Sequence, residues 1–127
     1  MCGALVEIIS GQPFEQFLQE RLFAPLGMRD TGFRVSDDQL DRFAACYVRG
    51  PDKRLLLVDD PESSHYRHKR NFFSGGGGLV GTTSDYMAFC EMLRQGGRYQ
   101  GTQILGRRTL ELMTANHLLQ GQSLAEM

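Results

Sequence analysis

The sequence predicts an α+β fold that is mainly helical and contains one small β-hairpin. Two observations support this class: apolar residues recur at helical spacing in most segments, and two short apolar runs flank a turn sequence. A chain of 127 residues fits one domain, 1–127, and buries roughly two-thirds of its unfolded surface on folding. We therefore expect four longer helices, one hairpin and two long loops.

The first part of the chain predicts two amphipathic helices. In residues 3–9 one helical face carries Leu5, Val6, Ile8 and Ile9, and Ser10-Gly11 ends the segment. Pro13 suits the first turn of the next helix, in which apolar residues recur at helical spacing. These residues are Phe14, Phe17, Leu18 and Leu22. Pro25 and Gly27 are predicted to stop this second helix.

The middle of the chain predicts a short helix, a hairpin and a long loop. Ser36-Asp37-Asp38 can cap a helix over 37–44. The runs Tyr47-Val48 and Leu55–Val58 flank RGPDKR, whose Gly-Pro-Asp is typical of a turn. Residues 59–73 are polar and aperiodic, and a loop of that length is usually functional or mobile.

The last part predicts two further helices. Tyr86, Met87, Phe89, Cys90 and Leu93 mark the first of them, and Gly96-Gly97 stops it. Residues 98–105 are expected to form a short extended link before a helix over about 107–115. The tail LLQGQSLAEM has only a weak pattern.

Composition argues against several classes of partner. The net charge of −1 does not favour a nucleic-acid or membrane-surface binder, and no apolar run is long enough to span a bilayer. The first residues lack a basic region, so no signal peptide is predicted. Cys2, Cys46 and Cys90 form no C-x-x-C pair, and Cys90 is expected to act as a buried small hydrophobic residue.

The stretch SGGGGLVGTTSDYMAF, residues 74–89, allows two interpretations. Residues 76–81 match G-x-G-x-x-G, but no acidic residue follows at the dinucleotide-binding distance, and Thr82 stands where a phosphate-binding loop needs lysine. The alternative is structural: Thr82, Thr83 or Ser84 caps the following helix, and Asp85 occupies its first turn. The second interpretation explains more of the residues.

Other clusters carry little chemistry. Loop residues 59–70 contain potential metal ligands, but their spacing matches no known site, so a solvated loop is favoured and no metal or cofactor is expected. These residues are Asp59, Asp60, Glu62, His65 and His68. His117 lies beside a predicted helix end, where it would interact with the last carbonyls. No G-x-S-x-G or S-x-x-K is present, so no catalytic residue is assigned.

The order of three segments resembles the serine β-lactamase-like hydrolases. The segments are GALVEIISGQPFEQFLQERLFAPLGMRDTGF, SGGGGLVGTTSDYMAFCEMLRQGG and LGRRTLELMTANHL. The phrases PLGM-x-x-T-x-F and GGGL-x-x-T-x-x-D are the most specific parts. The nearest groups are class C β-lactamase-related proteins, family VIII esterases and penicillin-binding-protein-like enzymes. The resemblance implies part of the helical subdomain of a β-lactamase/transpeptidase-like fold.

Members of that family use S-x-x-K, Y-x-N and a third motif (K-T-G, H-x-G or W-G-G), none of which occurs here. The chain therefore resembles the stretch between the second and third motifs, and we expect it to be inactive alone. The resemblance implies a small-molecule ester or amide substrate for the complete enzyme. It also places Gly75, Gly76, Gly77 and Gly78 at the rim of the substrate cleft, with no side chains to obstruct the substrate.

The chain ends lead to two further expectations. The sequence starts within an apolar helix and stops within a pattern, which is typical of a piece of a larger protein. Such a piece would expose apolar faces, including part of the 3–9 helix, and is expected to self-associate or to be marginally stable. The alternative is a stand-alone, non-catalytic binding module derived from the same family.

Overall fold

The computed structural model describes residues 1–68 and 72–118. The predicted class is confirmed: the chain is mainly helical, with a small antiparallel hairpin between two helical parts. The elements, in chain order, are α1 (Cys2–Ser10), α2 (Phe14–Leu18), a π-helical turn (Gln19–Phe23), α3 (Ala24–Leu26), a 3-10 helix (Asp37–Arg42), β1 (Cys46–Arg49), β2 (Leu55–Asp59), a 3-10 turn (His65–Arg67), α4 (Thr83–Arg94), β3 (Arg98–Tyr99), β4 (Thr102–Gln103) and α5 (Arg107–Thr114).

The second helix ends differently from the prediction. Gly27 takes a left-handed conformation, with φ 70°, and terminates the helix as expected. The prediction that Pro25 stops the helix is wrong, because Pro25 lies inside α3. Proline lacks the N–H that an α-helix needs, but here the preceding turn is π-helical, and the Ala24 N–H donates to the Gln19 carbonyl. The proline therefore falls where the hydrogen-bond pattern is already changing.

A buried cluster joins this helix to α4. Phe23, Leu26 and Met28 pack with Met92, the most deeply buried residue of α4. Partly buried residues surround the cluster: Leu18, Leu22, Ala88, Phe89, Leu93, Tyr99, Ile104 and Leu105. This apolar packing fixes α4 against α3, and α4 in turn carries the glycine stretch at its N-terminal end.

The predicted hairpin forms, and a second one replaces the expected extended link. In the first, Tyr47 pairs with Leu57, and Arg49 with Leu55. The second consists of β3 and β4 and spans only residues 98–103. Its turn residues Gln100 and Gly101 have φ of 46° and 84°. Positive φ at both positions is the requirement of a tight hairpin turn.

Several smaller predictions have clear outcomes. The 59–73 loop contains the 3-10 turn and the buried Ser64, although its residues 69–71 lie outside the described residues, as does most of the tail. Cys90 is half-buried rather than buried. His117 contacts the Leu112 carbonyl through Nε2 at 2.6 Å, as predicted for a helix end. Across residues 1–68 and 72–118, no helix is long and apolar enough to cross a membrane.

Candidate functional site

The glycine stretch forms an exposed loop between two anchored ends. Gly75, Gly76 and Gly77 are exposed, and the Gly76 N–H donates to Ser74 Oγ at 3.2 Å. Gly78 has φ 92°, a conformation that favours glycine. A Cβ atom at Gly77 would have no neighbour within 4 Å, and one at Gly76 would meet only Ser74 Oγ at 3.9 Å. The packing of the described residues therefore does not require glycine at 76 or 77.

An aromatic cluster and a close backbone approach hold the first end of this loop. The ring of Phe33 lies 4.9 Å from that of Phe73 and 6.1 Å from that of Phe14, between centroids. A Cβ atom at Gly75 would lie 2.9 Å from the Gly3 backbone nitrogen. A Cβ atom at Gly3 would lie 2.9 Å from the Phe73 carbonyl oxygen. The loop thus begins against the N-terminal turn of α1, and this close approach of the two backbones requires glycine at both Gly3 and Gly75.

Backbone pairing holds the second end. The Val80 N–H donates to the Gly32 carbonyl at 2.9 Å, and the Gly32 N–H donates back to the Val80 carbonyl at 3.1 Å. At Gly81 a Cβ atom would lie 2.8 Å from Thr31 Oγ1. The chain after the glycines is therefore paired with the segment that follows α3.

Asp85 connects the same two segments through its side chain. Its Oδ2 accepts hydrogen bonds from the Asp30 N–H at 2.9 Å and from Thr31 Oγ1 at 2.8 Å. Thr82 Oγ1 accepts from the Asp85 N–H at 3.2 Å, which confirms the predicted helix cap. We call this group, Asp30, Thr31, Thr82 and Asp85, the Asp85 clasp. The clasp joins PLGM-x-x-T-x-F to GGGL-x-x-T-x-x-D through the threonine of the first phrase and the aspartate of the second.

Asp30 extends the clasp to the 3-10 helix. The Arg42 guanidinium binds both carboxylate oxygens of Asp30, at 2.8 and 3.1 Å, and Gln39 Nε2 donates to Oδ1 at 2.9 Å. The hydrogen bond from Arg42 lowers the pKa of the Asp30 carboxyl below its ordinary value. Gln39 Oε1 also accepts from the backbone N–H and the hydroxyl of Ser36, and the two residues form a capping box. The helix predicted over 37–44 therefore starts at Asp37 as expected, but it is a 3-10 helix and ends earlier, at Arg42.

Two cavities lie on either side of residues 79–82. One, of about 540 Å³, is mostly apolar and includes Leu22, Phe23, Met28 and Phe89 in its wall. The other, of about 380 Å³, includes Asp30 and two residues of the 3-10 helix, Gln39 and Arg42, in its wall. Among the described residues that line these two cavities, the hydroxyl groups belong to threonines and to Tyr86, and none is a serine.

The loop residues considered as metal ligands do not converge. Within residues 1–68 and 72–118, no group of three His, Cys, Asp or Glu side chains could hold a metal ion. Asp59 instead accepts a hydrogen bond from the buried Ser64 hydroxyl at 2.9 Å. The side chain of His65 lies against the ring of Tyr66, with centroids 4.2 Å apart.

Sequence reasoning placed Asp85 in a helix turn but missed its contact with Thr31. The sequence did contain a signal for this contact, since Thr31 belongs to PLGM-x-x-T-x-F and Asp85 to GGGL-x-x-T-x-x-D, the two most specific motifs of the resemblance. The sequence did not show that Thr31 and Asp85, which are 54 positions apart, lie within hydrogen-bond distance of each other.

Residues 1–125 match the family model described as Beta-lactamase. Because this match covers nearly the whole chain, the protein belongs to the β-lactamase family, as the order of its segments predicted. The helical architecture described above accordingly forms part of a β-lactamase/transpeptidase-like fold.

Individual relatives come from bacteria and fungi. The chain is 34% identical over 120 residues to Protein Rv1367c of Mycobacterium tuberculosis, covering 94% of this chain and 29% of that protein. It is 30% identical over 106 residues to Esterase EstB of Burkholderia gladioli, covering 72% of this chain and 26% of EstB. The solved structure of simvastatin synthase LovD from Aspergillus terreus superposes with a TM-score of 0.74 at 32% identity, over 91% of this chain and 28% of LovD. The chain thus spans less than a third of the length of these relatives.

Proposed function

We propose that this chain forms one wall of the active-site cleft of a serine hydrolase or acyltransferase that acts on small-molecule esters or amides. The nucleophilic serine, its lysine partner and the tyrosine would come from polypeptide that these 127 residues do not contain. The family match supports the chemical class, and the names of two relatives, an esterase and a synthase, fit an acyl-transfer reaction.

The reaction proposed for the complete enzyme is acyl transfer in two steps. The serine oxygen attacks the carbonyl carbon while its proton passes to the lysine–tyrosine pair, and backbone donors stabilise the oxyanion. Collapse of that intermediate expels the alcohol or amine, which takes the proton from the lysine–tyrosine pair. Water or a second alcohol then gives a proton to the pair and attacks the acyl-enzyme, and the acyl group leaves the serine oxygen, which regains its proton. None of these groups is assigned to the chain, which is proposed to be inactive alone.

The rim role of the glycines is supported by one observation. Gly76 and Gly77 have no packing neighbour that excludes a side chain, and neither has positive φ. By contrast, Gly75 faces the backbone of Gly3, and Gly78 has φ 92°. Glycine at 76 and 77 is therefore unexplained by the described part of the fold, and a substrate passing over the loop would supply the reason.

A covalent probe tests the inactivity of the chain. We expect no serine of the purified 127-residue chain to react with a fluorophosphonate or a labelled penicillin, with an active serine hydrolase as positive control. Stoichiometric labelling of a serine in the folded chain, absent after heat denaturation, would contradict the proposal. Reading the DNA on both sides of the coding segment complements this test, since in-frame S-x-x-K and Y-x-N motifs upstream are expected.

A larger polypeptide carrying those motifs would test the rim. Gly77→Leu should raise KM at least about tenfold, since an added side chain would occupy space that the substrate needs, while stability stays unchanged. Thr109→Leu, at an exposed position of α5, is the control and should leave KM unchanged. Equal KM values for the two variants would remove Gly77 from the cleft.

A stand-alone binding module is the second candidate function, and the first hairpin favours it. Tyr47, Val48 and residues 55–58 are each about half or more exposed on β1 and β2, which is unusual for an apolar hairpin of a monomer. Upstream DNA without S-x-x-K or Y-x-N would favour this module over the enzyme.

A further inference from the structure

Asp85 is a buried carboxylate that the proposed chemistry does not use. It is 9% exposed and lies in the first turn of α4, the helix that follows the glycine loop in the chain. We propose that Asp85 is a positioning residue: its hydrogen bond to Thr31 fixes the position of the loop Gly76–Gly78. What the loop faces rests on the proposed function, whereas the positioning itself depends only on contacts within this chain.

The chemistry of the clasp suits an ionised carboxylate. One oxygen of Asp85 accepts from both a backbone N–H and a hydroxyl, at 2.9 and 2.8 Å. Hydrogen bonds to a charged acceptor are stronger than those between neutral groups, and a negative charge is favoured at the N-terminus of a helix as long as α4. Asp85 thus attaches residues 30–31 to α4 by two side-chain hydrogen bonds, in addition to the backbone pairing of Gly32 with Val80.

Displacement of Thr31 would be passed on to the loop by direct contact. A Cβ atom at Gly81 would lie only 2.8 Å from Thr31 Oγ1. The Thr31 hydroxyl is therefore packed directly against the Gly81 backbone. Gly32, which follows Thr31, and Val80, which precedes Gly81, are joined by two backbone hydrogen bonds. Val80 is two residues from Gly78, while the other end of the loop is held at Gly75 against Gly3. The loop Gly76–Gly78 is therefore short and held at both ends, at Gly75 on one side and through the Asp85 clasp on the other.

Nuclear magnetic resonance of the 127-residue chain tests this role. Two readouts are needed: amide hydrogen exchange at Gly32 and Val80 reports opening of the pairing, and ¹⁵N relaxation at Gly76–Gly78 reports nanosecond motion of the loop. Thr31→Val, which removes the hydroxyl at constant size, should speed exchange at Gly32 and Val80 about tenfold and increase loop motion.

Matched variants separate positioning from general destabilisation. Thr31→Ser keeps the hydroxyl and should restore wild-type exchange and motion, whereas Ser84→Ala, in the same helix turn, should change neither. Asp85→Asn keeps one acceptor oxygen but loses the charge, so exchange and loop motion should change in the same direction as in Thr31→Val. If Asp85→Asn does not fold, the comparison of Thr31→Val with Thr31→Ser still tests the proposal, because Thr31→Val removes only one hydrogen bond.

The amide of Gly50, which donates to the Arg54 carbonyl in the first hairpin, supplies the internal reference. Exchange that rises equally at Gly50, Gly32 and Val80 in Thr31→Val would show a merely structural role and overturn the proposal. Unchanged loop motion in Thr31→Val would also overturn it. Since no measurement requires catalysis, failure to find the catalytic motifs would refute the proposed function and leave this result standing.

Discussion

Substituting alanine at two neighbouring glycines separates packing from function in the loop. At Gly75 the new Cβ would lie 2.9 Å from the Gly3 nitrogen and 3.3 Å from Cys2 Cβ. The first neighbour is backbone and cannot rotate away, so α1 or the loop must shift. At Gly77 the same atom would meet nothing within 4 Å.

The expected magnitudes follow from these distances. Overpacking against fixed atoms costs about 1–3 kcal/mol, so Gly75→Ala should lower the free energy of unfolding by that amount. Gly77→Ala should be neutral or should stabilise by about 0.4–1 kcal/mol, since alanine restricts the unfolded chain. Urea unfolding followed by circular dichroism measures both, and each kcal/mol should move the melting temperature by about 4 °C.

The pair would refute the reasoning if both alanines destabilised the chain equally. That result would mean that the loop is packed at Gly77 as tightly as at Gly75. Glycine at 77 would then have a structural explanation, and the observation that supports a substrate rim would be lost.

Three further predictions concern stability and association. Phe33→Ala should cost about 3–5 kcal/mol in urea unfolding, because its ring is 2% exposed and bridges the aromatic cluster. Hydrogen bonds from Arg94, and then Gln95, lower the Glu91 pKa to about 2 from 4.5. Its small, solvent-screened contribution to stability should be complete above pH 4.5 and lost as the pH falls toward 2, as titration of unfolding against pH measures. Ile8→Lys with Ile9→Lys should reduce the self-association expected of wild type in sedimentation velocity, since both side chains are more than three-quarters exposed.

Each of these predictions has its own control. Phe72→Ala changes an exposed ring and should be nearly neutral. Glu91→Gln should remove the pH-dependent contribution of Glu91 and flatten that part of the profile. A cooperative wild-type monomer at high concentration would contradict the association prediction, and Ser10→Lys tests whether added charge alone changes sedimentation.

The sequence alone predicted the elements whose signals are local. Helix α1 and its end at Gly11 follow from apolar spacing and a left-handed glycine, and the Thr82 cap follows from side-chain chemistry within one turn. The first hairpin follows from its turn residues. Pro25 was misjudged because a π-helical turn, which has no clear sequence signal, precedes it. The second hairpin was missed because two-residue strands leave no alternation to detect.

The candidate site depended on both levels. The sequence by itself determined the family, since the order of its segments can be read from residue types. Only the tertiary structure decided which glycines are required by packing and which are not, and that Asp85 reaches Thr31. The physical reason is that helix ends and turns depend on neighbours within a few residues, whereas a buried hydrogen bond across 54 positions depends on how the apolar core orients α3 and α4.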